Sequence, residues 1–178
     1  MSNLLVYATA LSRLHADLLV VRLKQADVAM SQISIVHPKA SRPNSTRCWL
    51  SGSLRLPLAS GANVSVAGPL RHLLAHSRRG TGPNTLVSRL RRLGLTPGQS
   101  HEIDERLMEN RIIVAIAVPS EFELPAIFGA LRGVAAEDVR AVDLAPAHGA
   151  EATSSRHFRP TNVSPIAQLL TAACGAFA

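Results

Sequence analysis

Short apolar runs alternate with a segment of helical periodicity near the start of the chain. Residues 3–8, "NLLVYA", are typical of a buried strand, and residues 32–38, "QISIVHP", predict a second strand that ends at Pro38. Between them, residues 11–28 predict a helix. We expect one apolar face of this helix to point into the core, formed by Leu11, Leu14, Leu18 and Val21.

The same strand and helix pattern returns closer to the other end of the chain. Residues 111–118, "RIIVAIAV", predict a buried strand. Ser120 and Glu123 then have the spacing of a capping box, which predicts a helix that continues through Leu131. Residues 138–144, "DVRAVDL", predict the strand that completes this second unit.

The two β-α-β units, residues 3–38 and 111–144, predict an α/β (α+β) domain over residues 1–144. Equivalent apolar strand positions lie 29 residues apart in the first unit and 27 in the second, a similarity that favours an internal duplication. Since every strand must bury its apolar side, we expect a ferredoxin-like layered sheet with helices over one face.

A hairpin is predicted at the start of the insert, residues 53–109, that separates the two units. Residues 53–68 alternate apolar and polar positions on both sides of a turn at residues 60–63. Pro57 indicates an edge strand or a bulge in the first arm, because proline cannot donate a ladder hydrogen bond. Gly68 and Pro69 predict a corner that leads from the second arm into a helix.

Three helices are predicted after this corner. The first begins near Pro69, the second covers residues 83–94, and the third begins at Thr96, which forms a capping box with Gln99. The residues expected to face inward are Leu70, Leu73, Leu74, Leu86, Leu90, Leu93, Ile103 and Leu107. The residues expected to face outward are Arg71, His72, His76, Arg78, Arg89 and Arg92.

Composition adds an uneven distribution of charge to this picture. The formal net charge is +7, and Arg supplies most of the 19 basic residues. Residues 1–100 carry thirteen Lys or Arg against two acidic residues, whereas residues 101–178 carry six against ten. Between Asp27 and Glu102 the chain has no acidic residue. Because the guanidinium group matches phosphate and carboxylate geometry, the first half favours an anionic partner such as nucleic acid or phosphate.

Two explanations of the arginines stay open at this point. The candidate anion-binding residues are Arg71, Arg78, Arg79, Arg89, Arg91 and Arg92. Alternatively, the acidic residues Glu102, Asp104, Glu105 and Glu109 of the third helix could pair with this neighbouring arginine-rich region. The dipole of the second helix also favours cations in its last turn without any ligand.

Candidate chemistry is sparse. His72 and His76 have the i, i+4 spacing of two metal ligands, and His101 is the best candidate for a third ligand. No motif supports this metal site, and solvated histidines are the expected alternative. The chain has no nucleophile elbow, no phosphate-binding P-loop and no dinucleotide-binding glycine motif. We therefore expect no catalytic residue, no resident metal and no cofactor.

The last part of the chain has a different character. Residues 145–163 are rich in Ala, Ser, Thr, Pro and His without apolar periodicity, which is typical of a linker. Residues 164–178 then predict a short amphipathic helix whose docking face consists of Ile166, Leu169, Leu170 and Ala173. So short a helix is marginally stable alone, so we expect it to dock on its own domain, on a second copy or on a protein partner.

Two stretches carry a resemblance to a known family. "ANVSVAGPLRHLL" and "TLVSRLRRLGLTPGQSHEIDERLMENRIIVAIAV" resemble the bacterial heat-induced and general stress proteins of the YflT-like type, over roughly residues 3–144. The glycine-rich centre of many relatives is replaced here by the polar hairpin around Gly61. The resemblance implies a stress-associated, non-enzymatic role and assigns no functional residue.

Three hypotheses of function follow from the sequence. The first is a stress-associated or assembly protein that acts through docking surfaces. The second is a nucleic-acid-binding protein, although no aromatic stacking platform accompanies its arginines. The third is a metal-dependent enzyme centred on His72 and His76. Because no run of 18 apolar residues exists and the amino-terminal stretch "MSNLLVYATA" lacks the basic flank of a secretory signal, we expect a cytoplasmic protein.

Overall fold

A six-stranded antiparallel sheet and five α-helices make up a mixed α+β structure. The structure is a computed structural model and describes residues 4–39, 52–77 and 83–144. The strands are β1 Leu4–Ala10, β2 Ile33–Pro38, β3 Leu54–Pro57, β4 Asn63–Ala67, β5 Ile112–Val118 and β6 Glu137–Asp143. The helices are α1 Arg13–Gln25, α2 Leu70–His76, α3 Leu86–Arg92, α4 Pro97–Met108 and α5 Leu124–Arg132. Short 3-10 turns cover Met30–Gln32 and Glu121–Glu123.

The two predicted β-α-β units are interleaved in the sheet. The strand order is β3-β4-β2-β5-β1-β6, and every neighbouring pair is antiparallel. Strands β1 and β2 of the first unit therefore run parallel, with β5 of the second unit between them. Strands β5 and β6 are separated by β1 in the same way. Each unit thus depends on the other for the hydrogen bonds of its strands.

Both faces of the sheet are covered by helices. Along β1, Leu4 and Val6 belong to the apolar cluster under α1 and α5, whereas Leu5 and Tyr7 belong to the cluster under α2, α3 and α4. The expectation that helices cover one face is wrong, because the insert supplies the second helical layer. This arrangement explains why β1 and β5 are almost continuously apolar rather than alternating.

The insert follows its predicted course. Strands β3 and β4 form an antiparallel hairpin, with Leu54 opposite Val66, and β3 with Pro57 lies at the edge of the sheet. Thr96 and Gln99 form the predicted capping box at the start of α4. Ser120 caps the short Glu121–Glu123 turn, and α5 begins after that turn. Among the residues of α2 predicted to face inward, Leu70 and Leu74 are buried, whereas Leu73 is exposed.

Gly68 makes the corner between β4 and α2. Its φ is +87°, in the region that residues other than glycine rarely adopt. A Cβ at this position would lie 2.3 Å from the carbonyl oxygen of Ile33 and 2.7 Å from the Cα of Ser34. The hydroxyl of Ser34 accepts a hydrogen bond from the backbone N–H of Leu70 at 2.9 Å, so β2 and the start of α2 touch at this corner.

Substitution of two glycines separates backbone strain from steric overlap. Gly61 has a similar φ of +85°, but nothing lies within 4 Å of a Cβ built there. We expect Gly61→Ala to lower the free energy of unfolding by about 1–2 kcal/mol, from strain alone. Gly68→Ala should lose a further ~1–3 kcal/mol because β2 has to move away. Urea unfolding of both variants measures the difference, and equal losses would contradict the close approach of β2.

Candidate binding surfaces

The side chain of Arg89 lies inside the protein. Arg89 is 3% exposed, and its Nη1 donates to the carbonyl oxygen of Leu74 at 2.6 Å. Its Nε and Nη2 donate to Oδ1 of Asn84 at 2.9 and 2.5 Å. Arg92, one turn further, donates from Nη1 to the carbonyl oxygen of Ser77 at 2.9 Å. Arg89 and Arg92 therefore donate to carbonyl groups at the end of α2, where a helix leaves its acceptors unpaired and its dipole favours cations.

The prediction that Arg89 and Arg92 face outward is therefore wrong, fully for Arg89 and in part for Arg92. Arg89 is buried and Arg92 is half-buried, because the end of α2 needs hydrogen-bond donors. Helical periodicity shows which side of α3 faces the sheet, but it does not show that the end of α2 lies beside the helix. The available sequence signal is the position of Arg89 three residues after Leu86 and directly before Leu90, which places it beside the apolar face of the helix.

The other candidate anion-binding residues differ in position. Arg91 is exposed on α3. Arg71 is half-buried on α2, where its Nε donates to Nε2 of His72 at 3.1 Å. A Cβ on Gly52 would overlap the guanidinium of Arg71, so this side chain packs on the backbone that leads into β3. Arg78 and Arg79 lie outside the described residues. In the described part of the chain, these arginines do not converge on one ligand-sized site.

The acidic residues of α4 do not bind the arginines of α3. Glu102 pairs with Arg140 at 2.9 Å, and Glu109 pairs with Arg106 at 3.3 Å and Arg111 at 3.7 Å. Two further ion pairs join Arg106 to Asp138 and Arg111 to Glu137, each at 3.0 Å. The acidic residues near α4 and β6 are thus paired with basic residues from the same half of the chain. Within the described residues, Glu102 and Glu109 therefore pair with Arg106, Arg111 and Arg140 and not with the arginines of α3, contrary to one of the two open explanations.

Asp104 and Tyr7 are polar groups of the core. Asp104 is buried, and both of its carboxylate oxygens lie 3.4 Å from the backbone nitrogen of Ala59, which donates. Burial raises the pKa of Asp104 above its ordinary value, while the Ala59 hydrogen bond opposes that shift. Burial likewise raises the pKa of Tyr7 to about 12. Among the described residues, the hydroxyl of Tyr7 has no hydrogen-bond partner.

A small apolar cavity lies beside Tyr7, between the sheet and the helices of the insert. It has room for about one water molecule. Its walls are Leu5, Tyr7, Val36, Leu70, Leu86, Leu90, Leu95, Ile103, Ile113 and Ala115. The cavity is therefore a packing defect in the core and too small to hold a substrate.

The candidate metal ligands are exposed and separate. His72 and His76 lie on the solvent side of α2, and His101 is exposed on α4. Nδ1 of His76 lies 2.7 Å from the carbonyl oxygen of His72, so this nitrogen carries a proton and donates. Within the described ranges, no three His, Cys, Asp or Glu side chains are grouped so that they could hold a metal ion.

Helix α1 presents an apolar stripe to solvent. The exposed fractions are 70% for Leu14, 46% for Leu18 and 40% for Val21 of α1, and 48% for Leu11, which precedes the N-cap residue Ser12. We call these four residues the outer stripe. The residues that α1 buries against the sheet are instead Ala16, Leu19, Val20 and Leu23. The predicted inward face of this helix is therefore wrong.

The inward face of α1 was predicted wrongly because the helix sequence is apolar on two sides. Two apolar stripes run along α1, each with helical spacing, so periodicity alone cannot say which one faces the sheet. Ala16 settles the choice in the structure, because its small side chain lets the helix lie close to β1 and β5. Ser12 fixes the start of the helix, since its hydroxyl accepts from the backbone N–H of His15 at 3.2 Å.

Basic residues border the outer stripe on both sides. Helical geometry places Arg13 and Lys24 along one edge and Arg22 along the other, and all three are exposed. Phe122, 95% exposed in the turn before α5, is a further apolar group in the connection next to this layer. The outer surface of α1 is thus apolar in the middle, with Arg22 at one rim and Arg13, Lys24 and the acidic Asp17 at the other, so its rims carry a net positive charge.

The predicted linker and the predicted docking helix with Ile166, Leu169, Leu170 and Ala173 lie outside the described residues. Comparisons with protein families, with curated proteins and with solved structures give no match to this chain. None of the helices in the described ranges has the length and apolar character needed to cross a membrane.

Two arginines of α3 provide a test of these assignments. Arg89→Ala removes one of the two donors to the carbonyl of Leu74, the other being the hydroxyl of Ser77 at 2.9 Å, and it also removes a buried side chain that donates to Asn84. We expect the free energy of unfolding to fall by about 2–3 kcal/mol. Arg91 lies on another side of the same helix and is exposed. Arg91→Ala should therefore change the free energy of unfolding by less than about 0.5 kcal/mol. Chemical denaturation of both variants measures the two effects. If Arg89→Ala were as harmless as Arg91→Ala, the contact with the end of α2 would not contribute to stability.

Proposed function

We propose that this protein is a non-enzymatic, stress-associated assembly protein that acts through docking surfaces, and that the outer stripe of α1 is its main docking surface. The observation that carries the proposal is the exposure of four large apolar residues with spacings of 3, 4 and 3 positions. Side chains with this spacing are the anchors by which a helix binds an apolar groove. The stress-associated role comes from the resemblance to the YflT-like proteins, and the expected location is the cytoplasm.

The charged rims of the stripe indicate the chemistry of the partner. Arg13, Arg22 and Lys24 surround the apolar centre, while Asp17 is the one acidic residue within α1. A partner surface with an apolar groove and acidic edges would bury the leucines and pair with the basic rims. The stripe covers at most a few hundred Å². Since a stable interface buries about 800 Å² on each partner, the partner must extend beyond α1.

The architecture supports this type of function. We infer that β2, β5, β1 and β6, in this spatial order, form a ferredoxin-like unit with crossover helices α1 and α5. The hairpin β3–β4 and helices α2–α4 are additions to that unit. The additions cover the opposite face of the sheet and leave α1 as the helix with an uncovered apolar side.

Native purification tests the docking surface. The variant Leu14→Gln/Leu18→Gln replaces two centres of the stripe, and the control Leu73→Gln replaces an exposed leucine of the opposite layer. Neither change should alter the free energy of unfolding by more than about 0.5 kcal/mol, because these residues are exposed. We expect an acidic partner protein to co-purify stoichiometrically with the parent protein and with Leu73→Gln, and to fall at least tenfold with the double variant. An identical set of co-purifying proteins in all three preparations would contradict the proposal.

Nucleic-acid binding is the second candidate function, and the distribution of ion pairs favours it. Five ion pairs among the described residues involve Arg106, Arg111 and Arg140. In these pairs Glu102 and Glu109 neutralise arginines of the second half of the chain and not the positive charge of the first half. Arg91 is the exposed residue of the candidate set that the structure describes. Phosphate contacts would follow from charge alone, without base-stacking side chains.

Salt-dependent binding to RNA and to duplex DNA tests this second candidate. If Arg91 contacts phosphate, Arg91→Ala should weaken binding at every sequence and reduce the slope of log K against log salt by about one. Arg132→Ala is the matched control, since Arg132 is exposed on α5 and lies 6.0 Å from the ring centre of Phe128. The idea fails if the parent protein does not bind nucleic acid at low salt, or if both variants lower the slope equally.

A further inference from the structure

Residues 164–178 have the same apolar character as the surface that α1 leaves uncovered. Their predicted docking face has apolar residues at spacings of 3, 1 and 3 positions, namely Ile166, Leu169, Leu170 and Ala173. From residue 160 to residue 178 the chain contains no Asp, Glu, Lys, Arg or His. This segment therefore has the composition of a partner for an apolar stripe.

We propose that residues 164–178 dock on the outer stripe of α1 of their own chain and there compete with the partner protein. The docking itself stands apart from the proposed function, and only the competition rests on it. The segment acts as an internal cover that protects the stripe until a partner with acidic edges displaces it.

The position where the described chain stops brings the segment within reach. Asp143 at the end of β6 lies opposite Leu4 at the start of β1. Helix α1 follows β1, turns back across the sheet and is about 20 Å long at ~1.5 Å per residue, so its last turn lies at the level of Leu4. The chain therefore leaves the sheet at the end where α1 finishes, at the strand next to β1.

The linker is long enough to cross the helical layer. Residues 145–163 number 19, and a flexible chain of this length has a root-mean-square span of roughly 24 Å. One helix width of about 10 Å separates the edge of the layer from α1, because α5 packs beside α1. The segment can therefore pass over α5, whose first turns expose only Pro125, Ala126 and Gly129.

The dimensions of the two surfaces also agree. The helical part of the outer stripe extends over seven residue steps from Leu14 to Val21, about 10 Å, and the docking face from Ile166 to Ala173 also covers about 10 Å in a helix. A short amphipathic helix is marginal alone and gains its stability from such a contact. The segment has apolar residues that can bury the outer stripe, but it has no acidic side chain to pair with Arg13, Arg22 or Lys24. A partner with acidic edges has these additional pairings available and can displace the segment.

Docking within one chain is favoured over docking between two chains. A short flexible linker gives an effective concentration in the millimolar range, well above ordinary concentrations of a protein. A pair of outer stripes from two copies would bury much less than the ~800 Å² per partner of a stable dimer. The segment of the same chain is thus the occupant that the observations support.

Disulfide trapping tests the contact in the full chain, because Cys174 directly follows the docking face. In a Cys48→Ser background, Leu14→Cys or Leu18→Cys places a second thiol on the outer stripe. Leu73→Cys, on the opposite layer and similarly accessible, is the matched control. Oxidised glutathione in excess is the oxidant: each disulfide formed loses two thiol protons, and glutathione is reduced. Mass spectrometry of the digested monomer then gives the yield of each cross-link.

We expect an intrachain disulfide between Cys174 and at least one stripe position, with a yield at least fivefold above that of the Leu73→Cys control. Disulfides require Cα atoms within about 7 Å, so this result needs real proximity. Equal yields at the stripe and at the control position would overturn the proposal, and so would cross-links found only between chains. The outcome does not depend on a partner protein, so a failed trap and a failed co-purification remain distinguishable.

The competition has its own readout. Leu169→Gln/Leu170→Gln removes the two central residues of the docking face in the full chain. We expect this variant to lose the intrachain disulfide and to bind the co-purifying partner at least threefold more tightly than the parent protein, as measured by titration with that partner. An unchanged affinity would show that the segment does not compete and would overturn the autoinhibitory part of the proposal.

Discussion

The burial of β1 and β5 on both faces is the constraint on which the rest of the structure depends. Their side chains point alternately into the cluster under α1 and α5 and into the cluster under the insert. A strand with two apolar faces needs two covering layers. The two β-α-β units supply only one of these layers, so the hairpin and the three helices between them are a structural requirement of the sheet.

The same requirement explains the polar contacts of the insert. Helices α2 and α3 have seven residues each, so most of their backbone carbonyls and amides lie in terminal turns. Arg89 and Arg92 satisfy carbonyls at the end of α2, and Asp104 accepts from the backbone of Ala59 beside the hairpin. These charged groups therefore hold a layer of short helices together. Their number in the sequence overstates the positive charge that is available to a ligand.

The sequence predicts the elements well and their orientation less well. The strands, the approximate positions of the helices and the corner at Gly68 follow from local signals such as apolar runs, capping residues and turn residues, which report on a few neighbouring positions. The inward face of α1 and the burial of Arg89 do not follow, because each is decided by contacts between distant parts of the chain. In α1 the deciding property is the small volume of Ala16 against the sheet. For Arg89 it is the end of another helix.

The outer stripe cannot be explained by the folding of the described domain. Glutamine, lysine or glutamate would serve an exposed helix position as well as leucine does, since their helix propensities are similar. Single exposed leucines are ordinary, but three leucines and a valine along one line of α1 and the residues before it form a contiguous patch. The apolar residues that the core requires of α1 are Ala16, Leu19, Val20 and Leu23, which already bury its inner side. The docking that we propose would give these exposed residues a packing partner, and α1 would then contact an apolar surface on its outer side as well as the sheet on its inner side.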